Sequence, residues 1–219
     1  MKNPFKKTHK FNELIDIYKR IAKEGCYTVK GDFIEPDQVF GMSGQFRYKE
    51  LLKENFKKFD IKSILDYGSG QGSWDEKIND TNLTLREFLG LKKIEDFEPA
   101  RNKTNKIKSD CVVSFDVLEH VFISDVPWVV HDMFSYAEKL VFVNVACYSA
   151  SKMISKKDNA HITIRPPLWW KGIFDCIGSN FPDVNYVLLA SKSINDVAAF
   201  EAVSHNEHIK RETYSALKK

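Results

Sequence analysis

The 219-residue chain has few cysteines, no long hydrophobic run and little net charge. Its four cysteines lie far apart without a C-x-x-C pair, which disfavours a disulfide framework or a cysteine-based zinc site. No stretch approaches the ~20 apolar residues that cross a membrane. The first residues, MKNPFKKTHKFNE, carry no apolar run after their charges, so we expect no signal peptide. These absences predict a soluble, cytoplasmic protein with reduced thiols.

A net charge of +3 is too small to indicate a nucleic-acid partner, and no basic stripe with interleaved aromatic residues is present. Hydrophobic residues make up 43% of the chain and charged residues 29%, which is typical of a globular protein with one ordinary core. We therefore predict no nucleic-acid partner and no membrane span. The composition does not indicate an oligomeric state.

The most informative stretch is residues 63–74, SILDYGSGQGSW. An apolar strand leads into an acid, Asp66, and glycines follow at alternate positions, Gly68, Gly70 and Gly72. Glycine tolerates positive φ and leaves the backbone open to a ligand, so the pattern predicts a tight turn that holds a nucleotide-like group. A short helix is expected to follow and to point its free N–H groups at the ligand. The dinucleotide fingerprint G-x-G-x-x-G does not fit, because Ser73 stands where its third glycine would be.

The rest of the chain alternates apolar runs with helical patterns, which predicts an α/β fold with a mostly parallel sheet. Two helices at about 12–24 and 44–58 form a helical N-terminal cap, residues 1–58. The core, residues 59–205, ends in an antiparallel hairpin, and residues 206–219 form a charged tail. Residues 101–109 leave little room for a further helix and strand, which predicts a shortened sheet edge. The predicted strands after the glycine turn are 91–97, 110–115, 139–147, 186–190 and 196–203, with helices starting near 126 and 167.

Two motifs, D-x-G-x-G-x-G from Asp66 and DVLEHV from Asp116, together resemble class I S-adenosylmethionine (SAM) dependent methyltransferases of the small-molecule group. That group includes the ubiquinone-type O-methyltransferases. The stretches FGMSGQFRY, FEPA, VNVACYSA and NAHITIRPPLWW are similar to one uncharacterised bacterial subfamily, whose genes often accompany those for surface polysaccharide. The resemblance implies a Rossmann-like class I methyltransferase fold, SAM as cofactor, S-adenosylhomocysteine (SAH) as product and a small-molecule or saccharide acceptor.

The resemblance also implies roles for particular residues. Glu98 stands where the family usually has aspartate and would bind the ribose diol, with Asp96 as the competing acid. The glycine turn would hold the methionine end and ribose, and Asp116 and Val117 would lie near the adenine or the methionine end. The full predicted cofactor-binding set is Asp66, Gly68, Ser69, Gly70, Gly72, Glu98, Asp116 and Val117.

Methyl transfer to a hydroxyl is helped by a general base, and histidine suits that task near pH 7. His120 follows a strand end and His161 follows the next strand's loop, so both are candidate catalytic residues. Arg165, which could pair with a substrate phosphate or carboxylate, and Tyr148 are the predicted substrate contacts.

Several alternatives stay open. The acceptor could be an amine or a phosphate-type oxygen on a small metabolite, or the protein could bind SAM without catalysis. A nicotinamide enzyme is a further alternative, which Ser73 disfavours. Asp116, His120 and His161 could meet around a metal ion, but their spacing is not a recognised ligand pattern, so no metal is predicted.

Overall fold

A computed structural model describes residues 3–41, 43–79, 81–202 and 210–215. The helices are α1 (His9–Glu24), α2 (Ser43–Arg47), α3 (Lys49–Lys58), α4 (Leu85–Leu89), α5 (Val126–Tyr136) and α6 (Pro167–Gly178). The strands are β1 (Cys26–Tyr27), β2 (Phe33–Ile34), β3 (Ser63–Tyr67), β4 (Lys93–Phe97), β5 (Ser109–Phe115), β6 (Ala137–Ala146), β7 (Asn185–Ser193), β8 (Asp196–Ala202) and β9 (Lys210–Ser215).

Seven strands form one sheet in the order β4-β3-β5-β6-β7-β8-β9. The first five run parallel, whereas β8 is antiparallel to β7 and β9 antiparallel to β8. The central strands are continuous apolar runs because helices or chain cover both faces of a parallel sheet; Val112, Val113 and Val141 are fully buried. The predicted α/β class, mostly parallel sheet and C-terminal hairpin are confirmed.

The order of the strands creates a crevice. The chain passes from β3 outward to β4 at the edge, then returns across β3 to build β5 on its other side. In an open α/β sheet, ligands bind outside the carboxyl ends of the strands at such a reversal point. The shortened edge predicted from residues 101–109 is confirmed: β4 is the edge strand, and a single 3₁₀ turn at Pro99–Arg101 follows it.

The N-terminal residues cover this crevice. Helix α1 is followed by Gly25, where the chain turns with a φ of 79°. Only glycine fits here, because an added Cβ would lie 2.3 Å from the Ile34 carbonyl oxygen. Thr8 ties the start of α1 to the core, since its N–H and hydroxyl both donate to the buried carboxylate of Asp125, at 2.6 and 2.8 Å. The second predicted helix is broken at Tyr48 into α2 and α3.

The helix expected directly after the glycine turn is absent: residues 71–79 form turns and bends, and α4 begins only at Leu85. The physical reason is the burial of Trp74: this residue is 2% exposed, and its indole N–H donates to Asp66 of β3. That contact holds the chain in a turn where a helix was expected. Strand β9 falls within the predicted charged tail. The tail's other residues lie outside the described part of the chain. Among the described helices, none combines the length and apolar character that crossing a membrane requires.

Candidate functional site

A cavity of about 890 Å³ lies at the carboxyl ends of β3, β4 and β5, at the reversal point of the sheet. Helix α1 lines its outer side with Phe11, Leu14 and Tyr18. This volume is in the range of cofactor and ligand pockets. Of the predicted site residues, the cavity brings together Gly68, Ser69, Gly70, Glu98, Asp116, Val117, His120, Tyr148 and His161.

One side of the cavity, the glycine wall (Gly68, Ser69, Gly70 and Glu98), is built from backbone. Gly68 and Gly70 have φ of 85° and 60°, where side chains are strained. A Cβ on Gly70 would lie 2.3 Å from the Phe40 carbonyl oxygen. The hydroxyl of Ser69 is buried and has no hydrogen-bond partner among the described residues, which leaves it available to a ligand.

Glu98 braces this wall. Its carboxylate accepts from the backbone N–H groups of Gly70 and Ala100, both at 3.0 Å. Burial raises the pKa of Glu98, and those two N–H groups oppose the increase. Each carboxylate oxygen has a second lone pair, so a ribose hydroxyl can still donate to it. The competing acid, Asp96, instead pairs with Lys103 at 2.7 Å and does not line the cavity.

Asp66 lies behind the glycine wall and does not line the cavity. Its Oδ2 accepts from the Trp74 indole N–H at 2.8 Å, and its Oδ1 has no partner among the described residues. Burial raises the pKa of Asp66 from 3.8 to about 7. Gly72 is also outside the lining, so direct ligand contact from this motif is limited to residues 68–70.

Asp116 directly follows β5 and has a φ of 53°, an uncommon value for a residue with a side chain. Its side chain opens into the cavity. Because protein surrounds that space, burial raises the pKa of Asp116, and the cations of Arg47 and Lys152 oppose the increase. The next residue, Val117, packs against the glycine turn: its Cγ2 would lie 2.4 Å from a Cβ added to Gly68.

The opposite side, the histidine wall (His120, Tyr148 and His161), is built from side chains. The ring centroids of His120 and His161 lie 4.8 Å apart, at 84° to each other. His120 Nδ1 is 2.9 Å from the Ala160 carbonyl oxygen, and His161 Nδ1 is 2.5 Å from that of Tyr148. A carbonyl only accepts, so we assign the proton of each ring to Nδ1, and the Tyr18 hydroxyl, 2.7 Å from His120 Nδ1, then accepts a share of the same N–H. Each Nε2 is left with a lone pair that has no hydrogen-bond partner among the described residues.

The two histidines are neutral. Burial lowers the pKa of His120 to about 3, and the neighbouring His161 adds to the decrease. Burial also lowers the pKa of His161. Neutral imidazoles can accept a proton or a metal ion at physiological pH, but a pKa this low makes His120 a weak general base.

Sequence reasoning missed Glu119, which lies behind the histidine wall and is completely buried. Its Oε1 accepts from the Ala146 N–H at 2.8 Å, and its Oε2 has no partner among the described residues. Ligand atoms of Glu119, His120 and His161 all lie within 4.8 Å of one another, so the acid that joins the histidines is Glu119 and not Asp116. Burial raises the pKa of Glu119 well above its usual range, and Asp116 adds to the increase. The adjacency of Glu119 and His120 in the sequence was the only signal.

Arg165 is not brought to this cavity. Its side chain is exposed and lies over the Trp169 ring, with 6.0 Å between the guanidinium carbon and the ring centroid. The apolar lining from α1 was also missed, because the helical pattern shows which residues share a face but not what that face covers.

No protein-family profile matches the chain, and comparisons with curated proteins and with solved structures find no similar protein. The resemblance to class I methyltransferases therefore stays a prediction. The function has to be argued from the cavity and its two walls.

Proposed function

We propose that this chain is a cytoplasmic SAM-dependent methyltransferase that methylates a hydroxyl of a small molecule or saccharide precursor. The observation that carries the proposal is the cavity at the reversal point of the sheet, with a glycine wall on one side and two neutral histidines on the other. A volume of about 890 Å³ has room for a nucleoside-sized cofactor together with a small acceptor.

The glycine wall suits a nucleoside ligand without phosphates. Dinucleotide and phosphate sites place a helix N-terminus behind the glycine turn, where its free N–H groups face the anion. Here residues 71–79 form turns in place of that helix. This argues against a pyrophosphate ligand and therefore against a nicotinamide cofactor.

Within the cavity, Glu98 would accept from the ribose hydroxyls and the backbone at residues 68–70 would approach the sugar and the amino-acid part. Asp116 and Val117 would bound the adenine or methionine end. When bound, SAM supplies a methyl group already activated on a sulfonium. The chain's task is to hold an acceptor oxygen in line with that methyl and to limit the access of water, to which the apolar side chains of α1 that line the cavity would contribute.

On the acceptor side, His120 and His161 offer Nε2 lone pairs because Nδ1 of each is held by a carbonyl. They can orient the acceptor hydroxyl or receive its proton as the C–O bond forms and the C–S bond breaks. Tyr148 lines the same side, and burial raises the pKa of its phenol, so it remains a hydrogen-bond donor at neutral pH.

The sheet departs from the usual order in class I methyltransferases, in which the antiparallel strand is inserted between the last two parallel strands. Here β7 pairs directly with β6, and the antiparallel strand β8 lies outside it. The proposal therefore depends on the cavity and the glycine wall and not on the order of the C-terminal strands.

The test is calorimetric titration of SAM and SAH into the wild type, Gly70→Asp and Gly90→Asp. We expect micromolar binding to the wild type and none to Gly70→Asp, because the new side chain would overlap the Phe40 carbonyl and displace the glycine wall. Gly90→Asp is the matched control: Gly90 also has positive φ, 68°, but an added Cβ meets nothing within 4 Å. Circular dichroism establishes that each variant is folded.

Binding to the wild type and to Gly90→Asp alone supports the cofactor and justifies an acceptor screen that measures SAH release. Failure of a folded wild type to bind either ligand would contradict the proposal. Binding without methyl transfer to any hydroxyl compound would leave a SAM-binding protein.

A further inference from the structure

We infer that Glu119, His120 and His161 form a site for one divalent transition-metal ion, whose open coordination positions face the acceptor side of the cavity. Ion binding follows from these three residues alone. The ion's role, activating the acceptor hydroxyl, rests on the proposed function.

The three side chains already converge. One ligand atom from each lies within 4.8 Å of the others. In a tetrahedral zinc site with bonds of about 2.1 Å, ligand atoms lie roughly 3.4 Å apart, so the most widely separated atoms have to draw together by up to about 1.4 Å. Two imidazoles and one carboxylate are a recurring ligand set for zinc and for non-haem iron, with positions left open for substrate.

Both histidines have the second contact that metal-binding histidines usually make. A ligating imidazole commonly donates its other ring N–H to a carbonyl or carboxylate, which fixes the ring and aims the free nitrogen at the ion. Here Nδ1 of His120 donates to Ala160 and Nδ1 of His161 donates to Tyr148, at 2.9 and 2.5 Å. The Tyr18 hydroxyl lies 2.7 Å from the same Nδ1 of His120 and holds that ring further.

Glu119 supplies an independent reason for a cation. It is 0% exposed, and its Oε2 has no partner among the described residues. An ionised carboxylate buried in this way is strongly unfavourable unless a proton or a cation compensates it. Hydrogen bonding from Ala146 occupies Oε1 and fixes the carboxyl group, while Oε2 is left for the ion.

The donor set selects the class of ion. Imidazole nitrogen favours zinc, iron, cobalt or nickel, whereas magnesium and calcium prefer oxygen ligands. Cysteine does not belong to this cluster. Cys147, which follows Ala146 in the chain, stays a thiol because burial raises its pKa to about 12. We therefore expect zinc or ferrous iron in preference to magnesium.

An ion here would take over the activation of the acceptor. Binding of the acceptor hydroxyl at an open position would lower the pKa of that hydroxyl, so that its proton could pass to solvent. The acceptor oxygen would then form the new O–C bond as the S–C bond of SAM breaks, which would leave neutral SAH. His120 and His161 would then act as ligands and would not need the basicity that burial removes from them.

The experiment titrates zinc, cobalt and magnesium ions into the full chain after removal of metals by chelator and of any histidine tag. We expect one zinc or cobalt ion per chain and no comparable binding of magnesium. Glu119→Gln and His161→Gln should each lose about 100-fold or more in zinc affinity, since even outer contacts of metal ligands contribute 10- to 100-fold. His9→Ala, an exposed histidine outside the cavity, is the matched control and should bind as the wild type does.

Absence of stoichiometric zinc binding, or unchanged affinity in both variants, would overturn the inference. A sulfur-to-cobalt charge-transfer band would also overturn it, because the ion would then be on a cysteine. If the variants do not fold, ¹⁵N-histidine spectra of the wild type decide: zinc should shift two Nε2 resonances, and a spectrum that zinc leaves unchanged counts against the site.

The outcome for the zinc site can be distinguished from the outcome for the proposed methyltransferase function. Zinc binding is measured without SAM, and SAH binding is measured on the metal-free chain. Zinc binding without SAH binding would keep the ion site and contradict the methyltransferase. SAH binding without zinc binding would do the reverse.

Discussion

The glycine wall and the histidine wall face the same cavity, but they are built in opposite ways. Each is backed by a buried acid, one oxygen of which has no hydrogen-bond partner in the described part of the chain. Behind the glycine wall, Asp66 is turned toward Trp74 and away from the cavity. Behind the histidine wall, Glu119 lies beside the two imidazoles that line the cavity. The difference indicates that Asp66 holds the Trp74 side chain, whereas Glu119 belongs to a set of groups that can bind or react.

The two walls also differ in what a substitution would disturb. The glycine wall depends on backbone conformation and close approach, so almost any side chain should damage it. The histidine wall depends on hydrogen bonds and charge, so conservative substitutions should change its chemistry and leave the fold nearly intact. Three measurements sharpen this contrast.

The largest effect is expected for Gly68→Ala. Its Cβ would combine positive φ with a distance of 2.4 Å to Val117 Cγ2, so we expect the free energy of unfolding to fall by about 3–5 kcal/mol. Gly90→Ala, at similar φ with open space, should cost only about 1–2 kcal/mol. Adding Val117→Ala to Gly68→Ala should recover part of the loss. Urea denaturation measures all of these, and equal losses at Gly68 and Gly90 would show that close packing at the turn is unimportant.

An intermediate effect is expected from the acid behind the glycine wall. Because the pKa of Asp66 is raised to about 7 in the folded chain, the folded state holds a proton that the unfolded state has lost. The free energy of unfolding should therefore decrease as pH rises toward 7, with Asp66 contributing about 3 kcal/mol between pH 5 and pH 8. Asp66→Asn should flatten the profile by that amount. The profiles are measured by denaturation at several pH values. Parallel profiles for the wild type and the variant would contradict the raised pKa of this buried acid.

The smallest effect is expected for Tyr18→Phe. The substitution removes the hydroxyl that contacts His120 Nδ1 at 2.7 Å and keeps the ring contact with Phe40, so we expect a loss of about 1 kcal/mol. Tyr27→Phe, at an exposed ring, should cost almost nothing. Affinity for SAH should be unchanged, since the glycine wall is untouched. A large decrease in SAH affinity would mean that the two walls are not independent.

The sequence was enough to predict one wall because that wall is local. Strand β3, its acid and the glycines are contiguous, and Glu98 follows the neighbouring strand, whose pairing with β3 is parallel and in register. The parallel sheet and its short edge were predictable for the same reason, since buried strands read as apolar runs.

The other wall depends on contacts that a single sequence does not reveal. His120 owes its tautomer to Ala160, 40 residues away, and its second contact to Tyr18, 102 residues away. Glu119 Oε2 has no hydrogen-bond partner among the described residues, and this results from tertiary packing, which the sequence alone does not show. The prediction of a helix after the glycine turn was wrong for the same reason. The local pattern favours a helix, but the tertiary contact that buries Trp74 against Asp66 stabilises a turn.

The position of α1 over the cavity has a consequence for how the protein is made. This helix leaves the ribosome well before its partners, since Thr8 is tied to Asp125 across 117 residues of chain and Tyr18 to the carbonyl of Ala160 across 142. At usual synthesis rates the helix waits on the order of ten seconds before those partners exist. During that interval the apolar face that will line the cavity lacks its partners, so α1 depends on protection from aggregation until those later segments have been made.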